Sequence, residues 1–138
     1  MKKKQQAIQE YLTLSNDFLE TAEILFSAGH YLRAISDAYY AMFHATKAVL
    51  QSIDIITKTH NRTIVQLNYH FVRTKKLDKW YTFILEQMKK SCETSDYKPF
   101  KDNEFVEDFD AFFYSFKDQA EGAIDTAKQF VAKMREFL

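Results

Sequence analysis

Residues 31–51, YLRAISDAYYAMFHATKAVLQ, are apolar almost throughout, and their few polar side chains fall on one line. Successive helical residues advance about 100°. With Arg33 set at zero, Asp37, Tyr40, His44, Lys47 and Gln51 all lie within roughly 40° of it, and Ser36 within about 60°. A helix that is apolar everywhere except along one stripe is buried on most sides. The stripe must then face a groove, a subunit contact or a site, because buried polar groups need partners.

The flanking sequence is helical too. The chain has 138 residues, enough for one domain with a real core, and no second domain or internal repeat is visible. With Gly 2 and Pro 1 it lacks the turn residues of an all-β fold. Helix 1 is expected from about Gln5 to Ser27, with Ile8, Tyr11, Leu12, Phe18, Leu19, Ala22, Leu25 and Phe26 at three- and four-residue spacing. Gly29 stands where a C-terminal cap belongs, and the short link makes helices 1 and 2 antiparallel neighbours. Helix 2 runs from about Tyr31 to Ser52. After a connector, Thr59 or Asn61 caps helix 3, about Arg62 to Arg73, with Ile64, Leu67 and Phe71 as its apolar edge. A fourth helix, about Asp78 to Cys92, packs through Trp80, Tyr81, Ile84, Leu85 and Met88. Ser91 to Asn103, with the only proline, reads as loop. The last helix carries an unbroken seam of Phe109, Phe113, Phe116, Ala120, Ala123, Ala127, Phe130, Met134 and Phe137. Its small middle, Ala and Gly122, suits a close crossing. The fold class is therefore all-α, an antiparallel up-and-down bundle of four to five helices spanning 1–138.

Net charge is +0, so bulk charge gives no support to a dedicated nucleic-acid binder. The distribution is uneven. Between Asp54 and Asp78 there is no acid, but there are Lys58, Arg62, Arg73, Lys75 and Lys76, with His60 and His70. From Glu93 to Asp125 ten acids face only Lys98, Lys101 and Lys117. One pole is expected to be positive and another negative, unless the charges simply solvate a surface or pair. Cys92 is the only cysteine, so no internal disulfide forms and a reducing compartment, the cytoplasm, is expected. Neither a signal peptide nor a membrane-length apolar run is present.

The chemistry that needs a metal or a phosphate-cradling loop is missing. His30, His44, His60 and His70 form no i,i+4 pair, and there is no CxxC and no glycine loop, so neither metal nor cofactor is expected. Metal-independent RNA cleavage needs a base, an acid and a cation on the phosphorane. Histidine suits the first two and arginine the third. Arg62, Thr63 and His70 share the basic segment. Arg62 and His70 are eight residues apart, which places them about 80° apart around an α-helix and about 12 Å along it.

The stretch AGHYLRAISDAYYAMFHATKAVL resembles the second helix of HEPN domains, the all-helical "higher eukaryotes and prokaryotes nucleotide-binding" family. It is most similar to the small stand-alone prokaryotic branch, through Ala38, Tyr39, Tyr40, Ala41, Phe43, His44, Ala45, Lys47 and Ala48. Thr59, His60, His70, Phe71 and Val72 resemble that branch's next segment, and Ser95-Asp96-Tyr97 its Asp-Tyr signature. The resemblance implies a four- or five-helix bundle, a two-fold homodimer, and pairing with a minimal nucleotidyltransferase in a toxin–antitoxin-like or defence system. Active HEPN toxins are metal-independent ribonucleases. Their motif is Arg, four to six residues, then His, often with Tyr two places later, and the dimer joins two copies in a cleft.

This chain departs from that motif. Seven residues separate Arg62 from His70, Val72 stands at the Tyr position, and Asp37 stands where many relatives have a basic residue. The expected role is a dimeric accessory or binding partner of a nucleotidyltransferase, contacting RNA or nucleotide through the basic helix 3 segment, which also holds His60 and Arg73. The alternatives are a ribonuclease toxin using Arg62 and His70, and a nucleotide-binding bundle in which Arg33, His44 and Lys47 meet phosphates beside Asp37 and Tyr40. A competing account of the stripe has Asp37 pairing Arg33 in an internal network or dimer face.

Overall fold

The computed structural model describes the backbone of residues 2–96 and 109–138, and the side chains of residues 2–92 and 116–138. Five helices follow in order: α1 (Lys2–Ser27), α2 (Tyr31–Ser52), α3 (His60–Leu67), α4 (Lys79–Asp96) and α5 (Phe109–Arg135). A π-helical turn, Asn68–Val72, continues α3 directly. No strand occurs among the described residues.

The bundle is built around α2, which packs against each of the other four helices. Ala34, Ala38, Ala41, Ala45 and Ala48 recur at four- and three-residue spacing, and none of them reaches solvent. Ala48 packs with Ile8 and Leu12 of α1, and Ser15 donates a 2.7 Å hydrogen bond to the Ala41 carbonyl. A side chain as short as Ser15 reaches a neighbouring backbone only where two helices pass closely, and alanine allows that approach. Toward α3, α4 and α5 the same helix presents Tyr39, Met42, Phe43, Val49 and Leu50, all buried. α5 answers with Ala120, Ala123, Ala127, Phe130 and Met134, the buried part of the expected seam, while Phe116 and Phe137 are half-buried. The seam's Phe109 and Phe113 side chains lie outside the described residues. Truncating the fully buried Phe130 to alanine costs roughly 3–5 kcal/mol by analogy with other cores. α1 and α5 run antiparallel: Lys128 pairs with Glu23, and Arg135 donates to Asn16 at 3.0 Å.

With so few glycines, the chain still ends three of its helical segments in the same way. Gly29, Asp54 and Lys75 all have positive φ, at 84°, 63° and 63°. Each amide bonds back three residues, and the next amide bonds back five, to Leu25, Leu50 and Phe71 respectively. This double bond satisfies the last carbonyls of a helix. Only one of the three positions carries glycine, so Asp54 and Lys75 bear the steric cost of the left-handed region, about 1 kcal/mol each.

Several expectations need correction. α1 begins at Lys2 rather than Gln5, and Lys4 pairs with Asp54 at 3.3 Å. α3 starts at His60, because Thr59 is the cap and accepts from the Arg62 amide. Its far end widens into the π turn, where the Arg73 amide bonds back five residues to Asn68. Asp78 caps α4 rather than joining it, accepting from the Trp80 amide at 2.8 Å. Residues 91–96, expected as loop, continue α4, because Cys92 extends its buried face past Met88. The rest of that loop, 97–103, lies outside the described residues. Trp80 does not join the packing face; it is exposed, and Tyr81, Ile84, Leu85 and Met88 carry the contact. Gly122 is exposed with open space around it, so it is not part of the crossing.

Candidate functional site

The stripe on α2 is where the sequence places it. Asp37, Tyr40, His44, Lys47 and Gln51 are half-buried in an otherwise buried helix, with Arg33 exposed at its start. The stripe faces α1 and the first residue of α3, and Asp37 and Lys47 find partners on α1. Asp37 accepts a 2.6 Å hydrogen bond from Thr21 of α1. The expected Arg33–Asp37 pair does not form; Thr21 takes that place.

His44 donates from Nδ1 to the Tyr40 carbonyl at 2.8 Å, one turn earlier on its own helix. That bond leaves the lone pair on Nε2. Phe18 stacks on the ring at 5.3 Å, and Phe43 meets it edge-on at 5.4 Å. Burial lowers the His44 pKa below its ordinary 6.5; the Tyr40 carbonyl opposes this, and the neighbouring Lys47 cation adds to it. His44 is therefore neutral at pH 7. Lys47 lies over Tyr11 and Phe43, with Nζ at 5.2 and 5.5 Å from the ring centroids. His60, at the start of α3, stacks on Phe43 at 4.3 Å, and its Nδ1 shares a 2.6 Å hydrogen bond with the buried Tyr39 hydroxyl. Four positions singled out in the sequence thus meet in one aromatic–imidazole cluster: Tyr40, His44, Lys47 and His60.

The α3 face is built differently. Thr57, Thr59 and Thr63 fasten its base: Thr63 donates to the Thr59 carbonyl at 2.8 Å and meets the Thr57 hydroxyl at 2.5 Å. Thr63 is consequently buried and turned away from the surface its neighbours form. Lys58, Arg62, Arg73, Lys75 and Lys76 are all exposed. His70 sits in the π turn, half-buried, and donates from Nε2 to the Gln66 side-chain oxygen at 3.1 Å. Tyr69 beside it is 54% exposed. The Arg73 guanidinium lies over the Tyr69 ring at 5.2 Å, and the His70 ring meets its edge at 4.8 Å. Among the described residues no three His, Cys, Asp or Glu side chains converge as metal ligands.

This arrangement, an α2 core helix with an Ala-Tyr-Tyr-Ala centre beside a basic α3, agrees with the comparison to known families. The HEPN domain family matches residues 8–137. The chain belongs to the HEPN family. It is 28% identical over 131 residues to a protein of Methanocaldococcus jannaschii named as a toxin candidate, covering 95% of this chain and 88% of that one. A second such M. jannaschii protein is 25% identical over 131 residues, 95% of this chain and 81% of that one. A UPF0332 protein of Thermotoga maritima is 23% identical over 135 residues, covering 98% of each.

Within this HEPN domain, Arg62 and His70 stand on one helical segment but share no hydrogen bond, and Arg62 is exposed. Cys92 is buried against Ser36, with Sγ and Oγ 3.5 Å apart. Of the acidic half of the charge pattern, Asp118, Glu121 and Asp125 are exposed on α5, and the side chains of residues 93–115 lie outside the described residues. Sequence reasoning passed over Tyr69 and Gln66. The available signal was an aromatic residue set among five cations with no acid nearby.

Proposed function

We propose that this HEPN domain is a toxin-type module that works as a homodimer beside a minimal nucleotidyltransferase, and that it engages RNA through the α3 face without cutting it unaided. The observation that carries the reading is the contrast in hydrogen bonding. The α2 stripe turns most of its polar groups inward, while the segment from Lys58 to Lys76 holds five exposed cations and an exposed tyrosine that Arg73 covers. Phosphate contacts need cations that reach solvent. Cleavage needs an acid, a base and a cation on the same phosphate. Here His70 is tied to Gln66 and makes no contact with Arg62. Purified protein is expected to bind tRNA in EDTA and leave it intact. Degradation of that tRNA, stopped by His70→Ala, overturns the reading.

One observation favours a ribonuclease instead. A π turn takes more residues per turn than an α-helix, so each advances less than 100°. Beginning two residues before His70, it turns His70 back toward the face of Arg62 and offsets part of the overlong spacing. Such turns are also frequent at functional sites. Under this reading, expression arrests bacterial growth and both Arg62→Ala and His70→Ala relieve it. Equal growth of all three counts against it.

A nucleotide pocket on the α2 stripe has less support. Arg33 and Lys47 are fourteen residues apart, about 21 Å along the helix, so they do not grip one phosphate. Lys47 already lies over two rings.

A further inference from the structure

Resting on the α3 face as the RNA contact, we propose that Tyr69 is a base-stacking platform that makes this face selective for unpaired RNA.

Single exposed aromatics are ordinary on protein surfaces. Tyr69 differs in being held. Arg73, four residues on, covers the ring with its guanidinium at 5.2 Å, and His70 abuts its edge at an interplanar angle of 78°. The ring is therefore fixed in orientation while more than half of the residue stays exposed. The side chain that covers it is itself a cation suited to a phosphate or to a further stacked plane. Arg62, Lys75 and Lys76 are exposed in the same segment, which has no carboxylate from residue 55 to 77. Cations that follow a backbone, set around an aromatic plane, make up the recognised physical pattern of a single-strand binding surface.

A duplex cannot use such a platform. Its bases are stacked inside an A-form helix that presents phosphates and 2′-hydroxyls to a protein. The cations therefore serve both forms of RNA, and Tyr69 serves only the unpaired one. Every base has a π face, so the selectivity is for strand state and not for sequence.

The test is fluorescence anisotropy with a short mixed-sequence single strand, the same strand in duplex, and the same strand carrying abasic sites. Wild-type protein is expected to prefer the base-bearing single strand. Tyr69→Ala is expected to weaken binding of that strand roughly tenfold, within the range of base–aromatic stacking, and to leave the duplex and the abasic strand unchanged. Tyr69→Phe should retain the preference. Because Tyr69 is exposed, all variants should melt with wild type, which separates stacking from folding. Equal binding of all three RNAs, indifferent to Tyr69→Ala but weakened by Lys75→Gln/Lys76→Gln, overturns the platform and leaves the RNA-binding face standing. No binding of any RNA overturns both.

Discussion

The α2 stripe and the α3 face carry the same kinds of residue, histidine, tyrosine and cation, and use them in opposite ways. Along the α2 stripe, Tyr39 and His44, with His60 reaching in from the start of α3, pack against aromatic rings and close hydrogen bonds within the fold. On α3, the π turn and the residues flanking them, Tyr69 and five cations stand in solvent, while His70 is half-sheltered. The difference comes from what lies opposite. α2 is covered by α1 along its polar line, so polar groups there must be satisfied internally. α3 is short, and its outer face meets no other described helix. A reactive residue type is therefore a poor guide to a site until its surroundings are known.

The largest test of this contrast is stability. Tyr39→Ala is expected to destabilise by about 3–5 kcal/mol, through lost packing and the stranded His60 hydrogen bond. Tyr69→Ala should cost under about 0.5 kcal/mol. Denaturant melts of the two variants measure both, and equal losses break the distinction.

Next is RNA affinity. Replacing Lys75 and Lys76 by glutamine should flatten the salt dependence of single-strand binding by roughly 0.7 log units per lysine. Lys47→Gln, on the stripe, should leave that slope unchanged. A slope that follows Lys47 instead assigns the binding face to α2.

pH supplies a smaller effect. His44 has a lowered pKa in the folded state, so between that value and about 6.5 the unfolded chain binds more protons. Stability from this group is complete above about pH 6.5 and declines as pH falls below it. His44→Gln should flatten that decline. A steeper loss in the variant contradicts the buried, neutral assignment.

The smallest effect concerns the turn that joins the two regions. Asp54→Gly relieves a positive φ of 63° at the end of α2 and should stabilise by about 1 kcal/mol, less a little for the exposed Lys4 pair. RNA affinity should not move. A change in affinity would mean that the α2 end and the α3 face are coupled.

α2 was legible in full, Tyr31 to Ser52, because its apolar circumference and the glycine before it leave one solution. The line of half-buried positions was legible too. What covers that line was not: Thr21, Phe18 and Tyr11 sit in an α1 pattern that reads as ordinary amphipathic helix. On α3 the apolar edge of Ile64, Leu67 and Phe71 is buried as expected. The π turn has no local signature, since it depends on how Phe71 and the following turn dock, and so the relation of His70 to Arg62 could not be read from spacing. Trp80 misled for a related reason: periodicity gives a face, and the neighbours decide how wide the buried part is.

The most direct test of the central claim is an imidazole-resolved nitrogen–proton NMR titration with single-stranded RNA, following the four histidines separately. The account requires RNA to move the His70 signals and leave those of His44 and His60 in place. Shifts at His44 and His60 with His70 unmoved would put the ligand on the α2 stripe and contradict it.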